Sequence, residues 1–212
     1  MTVGSKPRRH AATTRAALAG CCLTAALSTA AGDAPAVPGI DPWRLGMSRQ
    51  EVIEQTDYGP YAEVRSTGGL ETFAGRFDGE STHVSFVFAD DRLIQIQVWA
   101  YQGDDVEKAL ASFAAACRYL ARDYGTIYRR GEPIDVPLDA ASLRRLIPET
   151  MLAAGERDGI EKLREAGEVA LTPQEFRLYV AGPPGTEIYA SFIRVLQLDL
   201  SYVFVILRQR GS

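Results

Sequence analysis

The chain is poor in the residues that build metal and nucleophile sites. Its 212 residues include three cysteines (Cys21, Cys22 and Cys117) and two histidines (His10 and His83). A His/Cys metal cluster of the usual kind needs more ligands than this supply leaves near any one place. A Ser-His-Asp triad in the body of the chain would have to use His83, and no Gly-x-Ser-x-Gly elbow accompanies it. Gly-x-Gly-x-x-Gly and Walker-type loops are also missing, so nothing in the pattern cradles a phosphate. No apolar run approaches the roughly 20 residues that a membrane-spanning helix needs. No metal or cofactor is therefore expected.

Acidic residues are missing from residues 1–32, which carry Lys6, Arg8, Arg9 and Arg15. An uncharged, mostly apolar run follows over 16–27, then small residues, Pro35 and Pro38. That order is the charged start, apolar centre and small-residue end of a secretory signal. Ser28 and Ala30 fit the −3 and −1 positions, which makes 1–30 the signal peptide and predicts a periplasmic or secreted protein. A competing export reading rests on Leu18-Ala19-Gly20-Cys21. It resembles the lipobox of bacterial lipoproteins and would place a lipid anchor at Cys21, giving an outer-membrane lipoprotein. Abundant Ala and Arg with little Lys fit a GC-rich bacterial source.

The formal charge of −4 hides the asymmetry. Once residues 1–32 are set aside, 19 basic and 27 acidic residues remain, a net of −8. A body that acidic is badly matched to nucleic acid. A protein partner in the cell envelope is the expectation instead.

The body reads as α+β. Residues 31–42 are a Pro- and Gly-containing linker. The first half, 43–125, starts with Ser48-Arg49-Gln50-Glu51, a capping box that opens a short helix. Residues 61–101 alternate as a four-stranded antiparallel meander. Gly68-Gly69 and Asp78-Gly79 read as two-residue turns, and Asp90 to Arg92 as a three-residue one. That register puts Val64, Phe73, Val84 and Val98 in one apolar row. It leaves Glu71 out of place, opposite Phe86 on the apolar face. A long helix follows over about 105–122, with Asp104 as N-cap, Gly125 as its stop and a stripe of Val106, Leu110, Phe113, Cys117, Leu120 and Tyr124. Cys117 lies in that stripe and is expected to be a buried, inert thiol.

The second half, 126–212, reads as a loop with a short strand to about 138, a helix over 139–153 interrupted by Pro148, a charged stretch over 156–168, and three strands over 175–181, 186–196 and 200–208. The last two strands are nearly continuous apolar runs, as expected of strands that are central or covered on both faces. Helices are expected on one side of the sheet. Whether the two halves make one sheet or two stays open, with one compact domain as the expectation.

Leu45-Gly46-Met47-Ser48-Arg49-Gln50-Glu51-Val52, with Tyr58-Gly59-Pro60 and a meander after it, resembles a bacterial envelope group. This group contains the outer-membrane assembly lipoproteins of the BamE/OmlA type and the beta-lactamase-inhibitory-protein fold. The resemblance covers about 60 residues and departs from the group in showing one helix before the sheet and a long one after it. It implies a binding module in the cell envelope that works by surface contact, and it transfers no catalytic residue.

The meander register opposes His83 to Trp99 on the polar side of the sheet, with Gln97 and Tyr101 beside them. These four residues are the candidate partner surface; an ordinary exposed face, or cover by the second half of the chain, is the plainer reading. Asp90-Asp91 falls in a turn and Asp104-Asp105 at a helix start, so both acidic pairs have structural roles. The function expected is a non-catalytic envelope or periplasmic protein acting through protein contacts in assembly or maintenance. An inhibitor or immunity protein against a secreted or envelope enzyme is the alternative. A hydrolase with carboxylates paired only in three dimensions is the third class.

Overall fold

The computed structural model describes residues 37–152 and 173–211. The expected signal peptide with Cys21, the first half of the expected linker and the charged stretch 156–168 lie outside the described residues.

The chain first makes a small two-stranded hairpin from β1 (Gly39–Ile40) and β2 (Trp43–Arg44). It carries Ile40 and Trp43 into the core, so ordered structure begins inside the expected linker. Helix α1 (Arg49–Ile53) starts at the expected capping box. Ser48 Oγ accepts from the Glu51 N–H, and the Glu51 carboxylate accepts from the Ser48 N–H at 2.6 Å.

The strands that follow are β3 (Tyr61–Val64), β4 (Gly69–Phe77), β5 (Glu80–Ala89) and β6 (Arg92–Gly103). Helix α2 (Val106–Tyr124) comes next, then β7 (Ile127–Arg129), β8 (Glu132–Pro133), α3 (Ala140–Leu146) and α4 (Glu149–Leu152). Strands β9 (Gln174–Val180), β10 (Thr186–Val195) and β11 (Leu200–Gln209) complete the described chain.

These strands form one antiparallel sheet of nine, in the order β3-β4-β5-β6-β11-β10-β9-β7-β8. The expected α+β architecture of two halves is therefore wrong: the protein is mostly sheet. The cause is the last strand. β11 docks on the free edge of β6 over eight residue pairs, Ser201↔Gly103 to Arg208↔Gln95, so the second half extends the first half's sheet. β11 is central, which accounts for its unbroken apolar run. Apart from α2 the helical segments are short: α1 has five residues, and Pro148 divides α3 from α4. Among the described residues no helix is long and apolar enough to cross a membrane.

Helix α2 packs across β6, β11 and β10. Its N-cap is Asp105, one residue later than the expected Asp104, and the Asp105 carboxylate accepts from the N–H groups of Glu107 and Lys108. The helix stops at Gly125, whose φ of 91° is open to glycine and strained for other residues. Leu110, Phe113, Cys117 and Leu120 from the expected stripe are fully buried. Phe113 makes edge contacts with Phe176 and Phe192 at 6.1 and 5.9 Å. Burial pushes the Cys117 thiol up to about 12, which leaves it protonated and unreactive at neutral pH.

Three bulges set which residues face this core. In the first, Thr72 pairs with Val84 and Gly75 with Thr82, so Phe73 and Ala74 together oppose His83. The Thr72 hydroxyl accepts from the Ala74 N–H at 3.1 Å and holds the bulge. A Cβ at Gly75 would stand 2.4 Å from Val84 Cγ2, so the strand comes this close only with glycine there. Phe73 is thereby thrown outward and is 67% exposed, which removes it from the expected apolar row. Val64 leaves that row as well, because it pairs with Gly69 across a four-residue loop. The row actually runs Tyr61, Thr72, Val84, Val98, Val205, Ala190 and Leu178.

At the second bulge the turn is the two-residue Asp90-Asp91, with φ 48° and 59°, and Ile94 is the extra residue. The expected three-residue turn was wrong, yet Phe86↔Ile96, Val84↔Val98 and His83↔Trp99 are correct because the bulge makes up the missing residue. The third bulge inserts Ala100 of β6 opposite β11.

Candidate functional site

The face of the sheet turned away from α2 carries a second hydrophobic cluster. Tyr189, Phe204 and Ile206 are its buried members, with Trp99, Tyr179, Ile193 and Tyr202 packed against them. At its centre is a run of rings across four strands. Phe73 stacks on His83 at 4.4 Å, His83 stacks on Trp99 at 5.0 Å, and Trp99 meets Phe204 edge-on at 4.8 Å. Stacked and edge-on pairs at these distances each contribute about 0.5–1.5 kcal/mol beyond the area they bury.

His83 and Trp99 are directly opposed, as expected. Gln97 shares their face and pairs with Ser85 on one side and Ile206 on the other. Tyr101 does not belong to the surface. The extra residue at Ala100 turns Tyr101 to the other face, where it packs on the main core and its hydroxyl accepts from the Asp105 N–H at 3.2 Å. A one-residue insertion reverses the facing of everything beyond it.

Glu71, the misfit in the expected register, lies on this face too. It pairs with Ser85, and its carboxylate takes a hydrogen bond from His83 Nε2–H at 3.0 Å. The imidazole is therefore fixed from three sides, by Phe73, Trp99 and Glu71. The indole N–H of Trp99 is buried and finds no acceptor among the described residues. An N–H left dry is costly, and its neighbour Phe204 offers only a ring.

Further along the face a tyrosine row crosses three strands. Tyr128 pairs with Tyr179, and Tyr179 with Tyr189. Arg177 lies over the Tyr189 ring at 4.9 Å and Arg208 at 5.7 Å. Each arginine holds a glutamate, Glu175 for the first and Glu187 for the second. Burial pushes the Glu175 carboxyl up, but hydrogen bonds from Arg177 and Ser191 outweigh it and hold it below its ordinary value. Burial likewise raises the Tyr189 phenol, so it stays neutral.

From the sequence Phe73 was placed in the core row, and Phe204 and these three tyrosines were not singled out. Gly75 inside a strand pattern was a readable sign of the bulge that exposes Phe73. The β11 residues carried no such sign, because both of that strand's faces are apolar. Among the described residues no three His, Cys, Asp or Glu side chains are grouped to hold a metal ion. Compared with protein-family models, curated proteins and solved structures, the chain matches none.

Proposed function

We propose that the protein is an exported, non-catalytic envelope or periplasmic protein that works by protein contact in assembly or maintenance. Its contact surface is the ring face of Phe73, His83, Trp99 and Phe204. One observation carries this reading: Phe73, among the few large hydrophobic side chains left exposed, sits on top of an ordered stack. Large rings held rigid by their neighbours lose little entropy on binding, and interface hot spots are rich in aromatics. The charge pattern of residues 1–32 supports export, and the resemblance of 45–52 to envelope binding modules agrees with it.

The test is affinity capture from a bacterial envelope extract with the wild-type protein and with Phe73→Ala, followed by mass spectrometry. A partner retained by the wild type and lost by the variant supports the surface; identical captures sink it. Intact-mass analysis of the native protein checks export, with a chain starting near Ala31 expected. A lipid on Cys21 makes it a lipoprotein, and an uncleaved cytosolic form overturns export.

The net of −8 after residue 32 favours a second reading, an inhibitor or immunity protein whose target is a basic secreted or envelope enzyme. A captured partner that is an enzyme, and loses activity when bound, selects it.

A further inference from the structure

At one end of the open face, the turn between β7 and β8, the 181–185 connection and the end of β11 converge. The Arg210 N–H donates to the Gly185 carbonyl at 2.7 Å and draws the last two together. Between them lies a cleft of about 440 Å³, lined by Tyr128, Arg130, Tyr179, Pro183, Thr186 and Arg210 among others.

Two features of the arginines stand out. The β7–β8 turn is Arg130-Gly131, with φ 52° and 87°. Such a two-residue left-handed turn favours Asn or Asp at its first position. Every other non-glycine residue with positive φ among the described residues is Asp: 78, 90, 91 and 199. Arg130 is thus a poor choice for its backbone, and its side chain is what the position keeps. The second feature is charge. Arg177 and Arg208 nearby each hold a glutamate, but Arg130 and Arg210 have no carboxylate within 4.0 Å among the described residues. Glu187 also lines the cleft, and its carboxylate is already held by Arg208 at 2.7 Å. What sets these two apart from the other arginines without a carboxylate is that both line one cleft, in a body of net charge −8.

We propose that this cleft binds the oxyanion of a small molecule, a carboxylate or phosphate, between Arg130 and Arg210. The rings of Tyr128 and Tyr179 support the rest of the ligand. Guanidinium forks match both anions, and the ring walls favour a flat or apolar body.

The test is an NMR titration of the whole protein at low salt with inorganic phosphate and, separately, with benzoate. Saturable shifts at the amides of Gly131, Gly182 and Gly185 are expected. Saturation by phosphate assigns a phosphoryl ligand, and saturation by benzoate a carboxylate. Arg210→Gln should weaken the affinity at least tenfold, while Arg65→Gln, on an exposed loop outside the cleft, should leave it unchanged. Arg130→Asn separates the roles: the thermal midpoint stays level or rises, because Asn suits the turn, and the affinity falls at least tenfold. Affinity that survives Arg130→Asn, or the lack of a saturable shift with either anion, overturns the proposal.

Discussion

The two faces of the sheet are both apolar, yet they are built differently. On the α2 side, aliphatic residues dominate: Val84, Val98, Val205, Ala190 and Leu178 make one row, and Phe86, Ile96, Leu207 and Ile188 fill the next. The opposite side is richer in rings, several with polar edges held by a neighbour, as His83 is by Glu71 and Tyr189 by two arginines. Aliphatic groups fill volume under a helix and demand cover. Rings shield one another sideways and keep polar edges that tolerate water. The contrast teaches that burial alone does not identify a core: Phe204 and Ile206 are each only 8% exposed, and among the described residues no helix contributes to their cluster.

The largest effect should come from the covered face. Phe113 sits on α2 between Phe176 and Phe192 and is fully buried. Phe113→Ala should cost about 3–5 kcal/mol, as removal of a core ring does. Chemical denaturation measures it, and a loss below roughly 1 kcal/mol would mean that the helix does not seal this face.

On the open face the same truncation should cost less. Trp99 is half-buried, contacts His83 and Phe204, and carries an N–H without an acceptor among the described residues. Trp99→Ala should destabilise by roughly 2 kcal/mol, because only part of the ring is packed and a dry polar group leaves with it. A cost equal to that of Phe113→Ala in the same denaturation assay would make the two faces equivalent and end the comparison.

The sequence disclosed elements better than facing, and the bulges explain why. Helix α2 was legible from its stripe and its Gly125 stop, with the N-cap one residue off, and the last two strands from their apolar runs. His83↔Trp99 was legible because the second bulge restored the register that a wrong turn length would have broken. Phe73 and Tyr101 were misassigned for the opposite reason. Each lies at or just past an inserted residue, and side-chain alternation carries no record of an insertion. The nine-stranded order was hidden as well. The edge that accepts β11 is chosen by pairing between segments about a hundred residues apart, which local patterns do not encode.

A smaller effect concerns how the helix layer is held to the sheet across pH. The Asp105 carboxyl lies below its ordinary value of 3.8, first because the Lys108 N–H donates to it and further through the Lys108 and Glu107 contacts. A depressed folded value gives stability that is complete above 3.8 and is lost as pH falls through the folded value. Asp139, the N-cap of α3, acts in the same direction through the Ser142 N–H. Asp105→Asn keeps a capping oxygen and removes the charge. The urea midpoint, measured from pH 6 down to 2.5, should then fall less steeply below pH 4 than in the wild type. An unchanged slope would show that the Asp105 charge does not contribute.

The smallest effect on stability is expected at the residue most important to the open face. Phe73 is 67% exposed and touches the fold chiefly through its stack on His83. Removing that contact should cost at most about 1 kcal/mol, the worth of one partly solvated ring pair. The apolar-row reading of the sequence required several times more, so the denaturation midpoint of Phe73→Ala decides between bulge and regular strand. If the cost is small, the bulge holds Phe73 outward and the ring is free to meet a partner. A cost near that of Phe113→Ala would place Phe73 in the core, close the bulge and remove the top of the ring stack from the contact surface.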